Sequence, residues 1–441
     1  MYKWLPYTHS AIARGNHMSK KKIVLAYSGG LDTSVMVKWL QEQYKSDVVT
    51  LTIDVGQGDN LKKIEEKAKM LGAVNTYTMD CKKEFAQEYV APAIKANALY
   101  MDSYPISSSL SRPLIAKKMV EVAEMEDAYA VAHGCTGKGN DQIRFDITIK
   151  ALSPKTKIIA PVREWKFDRH GEIIYALEHN IPVPVTVDSP YSVDQNIWGR
   201  SIEGGVLEFP DKMVPKEVWE WTKEIQNTPD EPEFITIGFE KGVPVSLNAV
   251  EMDLVSIAQK LNEKGGIHGI GRIEHMEDRT VGLKSRETYE CPAAEIILTA
   301  HKDLEKMVLT IHQMLMKREI DHKWTVLAYQ GLWVDPLKND LEAFINSSQE
   351  KVTGWVTMKL HKGTAKPVKR NSEFSLYDYN LTSFDINTKY DQGDALGFIA
   401  LWGLPSVTAW NLKHTMDSSE LEKQEQKVIA PAKSKKTELN L

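Results

Sequence analysis

The sequence predicts an α/β protein in which a parallel sheet with its helices is followed by an α+β region and a C-terminal helix. Three observations carry this. Strand-length apolar runs alternate with helix-period segments from Lys20 to about His133, glycine-rich turns stand beyond the first and fourth runs, and the alternation fades after about Pro184. A length of 441 residues exceeds one ordinary core and fits two domains with flanking segments. The expected bounds are an N-terminal extension over 1–18, a first domain over 19–184, a second over 185–413 and a disordered tail over 414–441.

The elements follow in order. Ile23–Tyr27 reads as a strand, Thr33–Tyr44 sets Val35, Met36, Trp39 and Leu40 on one helical face, and Val48–Ile53 is the second strand. Asp59 or Asn60 caps a helix in which Leu61, Ile64, Ala68 and Leu71 recur, and Gly72 ends it. Val74–Thr78 is the third strand. A helix over about Glu84–Leu99 is interrupted by Pro92, another spans about Pro113–Glu124 with Ser109 or Ser111 as its cap, and Ala128–His133 is the fourth strand. Such alternation means parallel βαβ units, whose ligands collect beyond the carboxyl ends of the strands. Further on come elements over Phe234–Phe239, Val243–Leu247 and Leu254–Leu261, one long helix over about Ala293–Arg318, and a hairpin of Thr353–Leu360 with Thr364–Arg370. Asp394–Trp402 reads as an amphipathic helix, and beyond Lys413 periodicity is lost.

Composition narrows the function classes. Lys plus Arg number 55 against 60 Asp plus Glu, a net charge of −5, which argues against a broad grip on nucleic acid. The longest apolar runs, such as Ile23–Ala26 and Gly397–Trp402, fall far short of the ~20 residues that cross a bilayer, so no membrane span is expected. Cys81, Cys135 and Cys291 form no CxxC pair, so neither a disulfide framework nor a thiolate zinc site is expected. The chain reads as cytoplasmic, and Met1–His17 lacks the apolar core of a secretory signal.

Two loops carry chemistry. After the first strand comes Ser28-Gly29-Gly30-Leu31-Asp32-Thr33-Ser34, where adjacent glycines allow a tight turn and close approach of a ligand to the amides of a helix start. It is neither a Walker A loop nor a dinucleotide fingerprint. The plain alternative is a Gly-Gly turn with a helix cap. After the fourth strand, His133-Gly134-Cys135-Thr136-Gly137-Lys138-Gly139-Asn140-Asp141-Gln142-Ile143-Arg144 can fold around charged oxygens and an amine, or form a solvated turn. His133 is read as structural. Between them, Tyr104-Pro105-Ile106-Ser107-Ser108-Ser109-Leu110-Ser111-Arg112-Pro113 offers a phenol, hydroxyls and a guanidinium, which suit helix capping and polar-ligand binding equally.

The first loop resembles the PP-loop of the ATP pyrophosphatases, and with the second it closely resembles the argininosuccinate synthase family. Tyr191–Arg200, Val281–Arg286, Tyr289–Pro292 and Tyr390–Pro405 agree in order, so the resemblance covers about Lys20–Lys413. It implies an adenine-nucleotide-binding first domain and a substrate-binding and multimerisation second domain. The implied ATP contacts are Ala26, Tyr27, Ser28, Gly29, Gly30, Leu31, Asp32, Thr33, Ser34, Ile53 and Gly134, with Asp32 near Mg²⁺. Aspartate falls to Thr136, Asn140 and Asp141; citrulline falls to Tyr104, Ser109, Asn140, Arg144, Ser192, Ser201, Glu277 and Tyr289. Arg144 can fork onto a carboxylate and Glu277 can pair an ammonium.

The implied reaction is a two-step ligation of citrulline and aspartate through a citrullyl-adenylate, with Asp32 and Asp141 as catalytic candidates and a homotetramer as the assembly. No residue suggests a covalent nucleophile, so catalysis would rest on positioning and charge. The rivals are another PP-loop enzyme, such as a tRNA thiolase or an amidotransferase synthetase, and an ATP-binding protein acting as sensor or scaffold. Missing CxxC pairs weigh against the first, and the presence of Asp32, Asp141, Arg144 and Glu277 against the second.

Overall fold

The computed structural model describes residues 20–165, 167, 169–182, 191–384 and 388–429. The expected extension over 1–18, the boundary at 184/185 and the end of the tail, 430–441, lie outside them.

Strands β1 (Lys22–Ala26), β2 (Asp47–Asp54), β3 (Asn75–Asp80), β4 (Ala130–Ala132) and β5 (Lys157–Ile159) form a parallel sheet in the order β3-β2-β1-β4-β5. Ile23, Val24 and Leu25 of β1 are fully buried, as expected for a central strand covered on both faces. The chain winds outward from β1 to β3 on one side and then crosses to β4 on the other. That reversal opens a crevice between the ends of β1 and β4.

Beyond this sheet lie β6 (Ser192–Asn196), β7 (Gly199–Glu203), β8 (Glu233–Glu240), β9 (Val243–Leu247), β10 (Val250–Glu251), β11 (Arg272–Asp278), β12 (Lys284–Glu290), β13 (Gly354–His361) and β14 (Thr364–Asn371). They make two antiparallel sheets, β10-β9-β8-β13-β14 and β11-β12-β7-β6. The expected β13–β14 hairpin is present, with Lys362 (φ 45°) and Gly363 (φ 77°) in the left-handed turn that a two-residue hairpin needs. Buried Val24, Leu51 and Leu114 belong to the same apolar cluster as Trp198, Ile297 and Trp324, so parallel and antiparallel regions share one core. A compact unit ends at Leu376, and a second runs from Tyr377.

Several helices depart from their expected bounds. The Pro92 segment forms Lys82–Phe85, a π turn over Ala86–Val90 and Ala91–Lys95; the widened turn just ahead of Pro92 accommodates its ring and missing donor. The next helix begins at Ser107, after Ile106 at φ 50°, so Pro113 lies inside it and neither Ser109 nor Ser111 is its cap. The single long helix expected over Ala293–Arg318 is two, Pro292–Val308 and Ile311–Tyr329. Thr310 and Gln313 form a reciprocal capping box that starts the second.

The second unit contains the helix Asp394–Ile429, which continues well past Trp402 and past Lys413, where the tail was expected to lose structure. Within it, Asp394–Thr415 is long and apolar enough to cross a membrane by length and composition, contrary to the reading from continuous apolar runs. Those runs were cut at Pro405, Ser406, Thr408 and Asn411, which a helix of this average hydropathy tolerates.

Candidate functional site

A cleft of about 1210 Å³ opens where the ends of β1 and β4 face the β11-β12-β7-β6 sheet. One end of it is built by the turn after β1. Gly29 takes φ 79° and its carbonyl accepts from Lys67 Nζ at 2.8 Å, while a Cβ there would lie 2.9 Å from Ile64. Gly30 then precedes the helix Leu31–Tyr44, whose first amides face the cleft with Asp32 and Thr33 beside them. Gly134, at the end of β4, closes the other side; a Cβ there would lie 2.9 Å from Met36 Cε.

The other wall explains how distant residues meet. Strand side chains alternate between faces, so Ser192 and Asp194 on β6 share a face with their direct partners Glu203 and Ser201 on β7. Ser201 pairs in turn with Tyr289 on β12, and Glu277 projects from β11 beside it. All six line the cleft. Ser201 Oγ lies 2.7 Å from Ser108 Oγ, tying this wall to the helix that starts at Ser107. Tyr104 and Tyr289 stack with ring centres 3.9 Å apart.

Charge is closely paired here. Asp141 Oδ1 accepts from Arg144 Nη1 at 2.7 Å, and its Oδ2 accepts from Arg112 Nε at 2.9 Å. Burial pushes the Asp141 carboxyl up, but Arg112 and Arg144 pull it down to about 2, so it stays ionised. Arg112 also reaches Asp194 Oδ2 at 2.7 Å, and Asp141 and Asp194 hold its guanidinium charged despite burial. Arg144 Nε donates to the Tyr329 carbonyl at 3.0 Å, leaving buried Nη2 without a partner among the described residues. Glu277 is 3% exposed and accepts from Tyr289 Oη at 2.9 Å and from Tyr329 Oη. Asn140 donates to Tyr329 Oη at 2.8 Å and accepts from the Thr280 amide at 2.9 Å.

The cleft lining thus gathers Ala26, Tyr27, Ser28, Gly30, Leu31, Asp32, Thr33, Ile53 and Gly134, together with Tyr104, Thr136, Asn140, Asp141, Arg144, Ser192, Ser201, Glu277 and Tyr289. Gly29, Ser34 and Ser109 are the predicted residues outside that lining. Ser34 is buried and donates to the Gly30 carbonyl at 2.6 Å, bracing the turn from behind. Ser109 is buried with no partner for its hydroxyl among the described residues, and Ser108 takes the cleft face instead. His133 lines the cleft, accepts from the Cys135 amide at Nδ1 (3.2 Å) and lies 2.8 Å from Asp146 through Nε2.

Sequence reasoning singled out Arg112 only as part of a polar stretch, with no role, and missed Asp194, Glu203, Arg279 and Tyr329. Of the missed residues, Asp194 and Glu203 had a period-two signal, standing two residues beyond Ser192 and Ser201. Tyr329 had none, because it ends a helix far along the chain.

Comparison with known proteins matches residues 22–182 to the arginosuccinate synthase N-terminal HUP domain and residues 191–409 to the arginosuccinate synthase C-terminal domain. Argininosuccinate synthase of Pyrococcus furiosus is 54% identical over 90% of this chain and 96% of its own. The enzyme of Bacillus cytotoxicus is 52% identical over 88% and 97%, and that of Halalkalibacterium halodurans 50% over 93% and 100%. With both domain models matched in order along a chain whose cleft joins the two regions, the protein belongs to the argininosuccinate synthase family.

Proposed function

We infer that the protein is a ligase that joins L-citrulline to L-aspartate at the cost of ATP, through a citrullyl-adenylate, releasing AMP and pyrophosphate in arginine biosynthesis. The observation that carries this is one cleft that gathers a glycine-rich helix N-terminus, the Asp141–Arg144 ion pair at the start of the helix after β4 and, on the antiparallel-sheet wall, Glu277. The amides after Gly30 suit a nucleotide phosphate. Arg144 Nη2, buried and unpartnered, suits a substrate carboxylate, and Glu277, fixed by two phenols, suits an α-ammonium. The citrulline ureido oxygen would attack the α-phosphorus, and the aspartate amine would then attack the activated carbon, with catalysis by positioning and charge.

Asp141 fits binding and orientation rather than proton transfer, because two guanidinium groups keep it ionised. Mg²⁺ would supply charge neutralisation at the leaving pyrophosphate. Asp32, which lines the cleft in the first turn of the helix Leu31–Tyr44, is the carboxylate that would meet a cation arriving with the nucleotide.

The exposed apolar side chains of Leu396, Phe398, Ile399, Leu401 and Trp402 support a homotetramer built through this helix, and three free thiols support a reducing, cytoplasmic setting. The test is to supply purified protein with MgATP, citrulline and aspartate and to assay argininosuccinate, AMP and pyrophosphate. Release of ADP, or turnover indifferent to citrulline, would sink the reading.

A further inference from the structure

The glycine turn after β1 is held from behind by the helix Leu61–Met70. Ile64 and Lys67 stand three residues apart on that helix and so share a face, with buried Ala68 beside them. Both meet Gly29. Ile64 Cγ1 lies 2.9 Å from the place of its missing Cβ, and Lys67 Nζ donates to its carbonyl at 2.8 Å.

The lysine stands apart from its neighbours. Lys62, Lys63 and Lys69 of the same helix are exposed, and Lys69 pairs with Glu65, whereas Lys67 is half-buried and makes no ion pair among the described residues. Burial draws its ammonium below the usual range, and no neighbouring charge among the described residues opposes that. A cation set behind a glycine turn, with no counter-charge beside it, fits a site whose counter-charge arrives with the ligand.

The bond to the carbonyl also fixes the amide on the other side of the same peptide. In a trans peptide the C=O and N–H point in opposite directions, so a Gly29 carbonyl turned to Lys67 aims the Gly30 N–H away from that helix. Gly30 and Ser28 both line the cleft, and the Gly30 amide donates to the Ser28 hydroxyl at a long 3.4 Å, a bond that a phosphate oxygen can replace. Glycine on both sides of this peptide allows the opposite orientation with little strain. A flipped peptide would present its carbonyl to the phosphate instead.

We propose that Lys67 is a positioning residue for the nucleotide: its ammonium latches the Gly29–Gly30 peptide with the Gly30 N–H toward the phosphates and adds positive charge behind the turn. The assignment rests on the ligase reading above for its ligand, ATP. Lys67 acts through Gly29 and Gly30 and is not itself part of the cleft lining.

The experiment uses full-length protein with Lys67→Met and Lys67→Arg, and measures equilibrium dialysis of radiolabelled MgATP and, separately, of radiolabelled adenosine, which carries no phosphate. Lys67→Met is expected to weaken ATP binding about ten- to a hundredfold, the effect of one charge-assisted hydrogen bond, and to leave adenosine binding within about twofold of wild type. Retained adenosine binding also shows that the variant folds. Lys67→Arg, which keeps both charge and donor, should recover most of the loss. In citrulline-dependent exchange of pyrophosphate into ATP, KM for ATP should rise by the same factor while KM for citrulline holds. Equal losses for ATP and adenosine mean that Lys67 only supports the fold of the turn, and unchanged ATP binding means that it holds nothing. Either overturns the assignment, as does a Lys67→Arg variant no better than Lys67→Met. Absence of exchange in the wild-type protein overturns the ligase reading instead, and the comparison of ATP with adenosine still decides the role of Lys67.

Discussion

Arg144 shows how much a single side chain is asked to do in this cleft. Its Nε reaches the Tyr329 carbonyl and its Nη1 Asp141, while Nη2 is buried with no partner among the described residues, and its guanidinium lies 5.0 Å from the Tyr329 ring centre. Removing it leaves Asp141 with Arg112 alone and takes away the one guanidinium nitrogen, Nη2, left for a substrate carboxylate. Arg144→Ala is therefore expected to raise KM for citrulline by about ten- to a hundredfold, the ~1.5–3 kcal/mol of one charge-assisted hydrogen bond. Arg144→Lys should recover little, because an ammonium cannot serve three divergent acceptors at fixed angles. Steady-state kinetics with citrulline as the varied substrate checks both, and an unchanged citrulline dependence removes Arg144 from the site.

Among the elements, the turn between β1 and the helix Leu31–Tyr44 is the most constrained. Gly29 combines a left-handed φ of 79° with a 2.9 Å approach of its missing Cβ to Ile64. Gly29→Ala would cost roughly 1 kcal/mol in backbone strain and push the turn off the helix that carries Ile64. The expected outcome is a raised KM for ATP with little change for aspartate, read from initial rates. This turn was legible in the sequence because two glycines between a strand and a helix have few other uses. The β11-β12-β7-β6 sheet was not. Its strands carry Asp194, Gln195, Arg200, Glu274, Glu277, Arg286 and Glu287, so they lack the apolar alternation that marks a strand with one face on a core. Asp194, Gln195, Arg200, Glu277 and Glu287 line the cleft, while Glu274 and Arg286 pair with each other outside its lining, so the cleft wall and that ion pair together hid the strand pattern.

For the molecule as a whole, the helix Asp394–Ile429 displays an apolar surface too large to stand uncovered in water: Leu401 is 75% and Trp402 76% exposed. Phe398→Asp with Trp402→Asp should shift the assembly to smaller species in light scattering. A particle of unchanged mass would mean that the helix does not hold the copies together. The same scale explains the helix length. A charged, Ser-rich sequence such as Asp417–Glu420 has no apolar period to announce a helix, and it is carried as the continuation of an apolar one that precedes it.

By itself the sequence determined the alternation of strands and helices around β1, the two glycine-rich loops and, through their order, the family. These are local matters: residue spacing sets the period, and glycine pairs set the turns. Tertiary structure decided which side chains meet. The strand order β3-β2-β1-β4-β5 brings the loop after β4 beside the loop after β1, and pleat and register place Ser192, Ser201, Glu277 and Tyr289 on one wall. The same packing assigned states to the carboxylates, tying Asp141 between two guanidinium groups and leaving Glu203 with a distant one. Charge state depends on burial and on neighbours across the fold, and neither is written in local spacing.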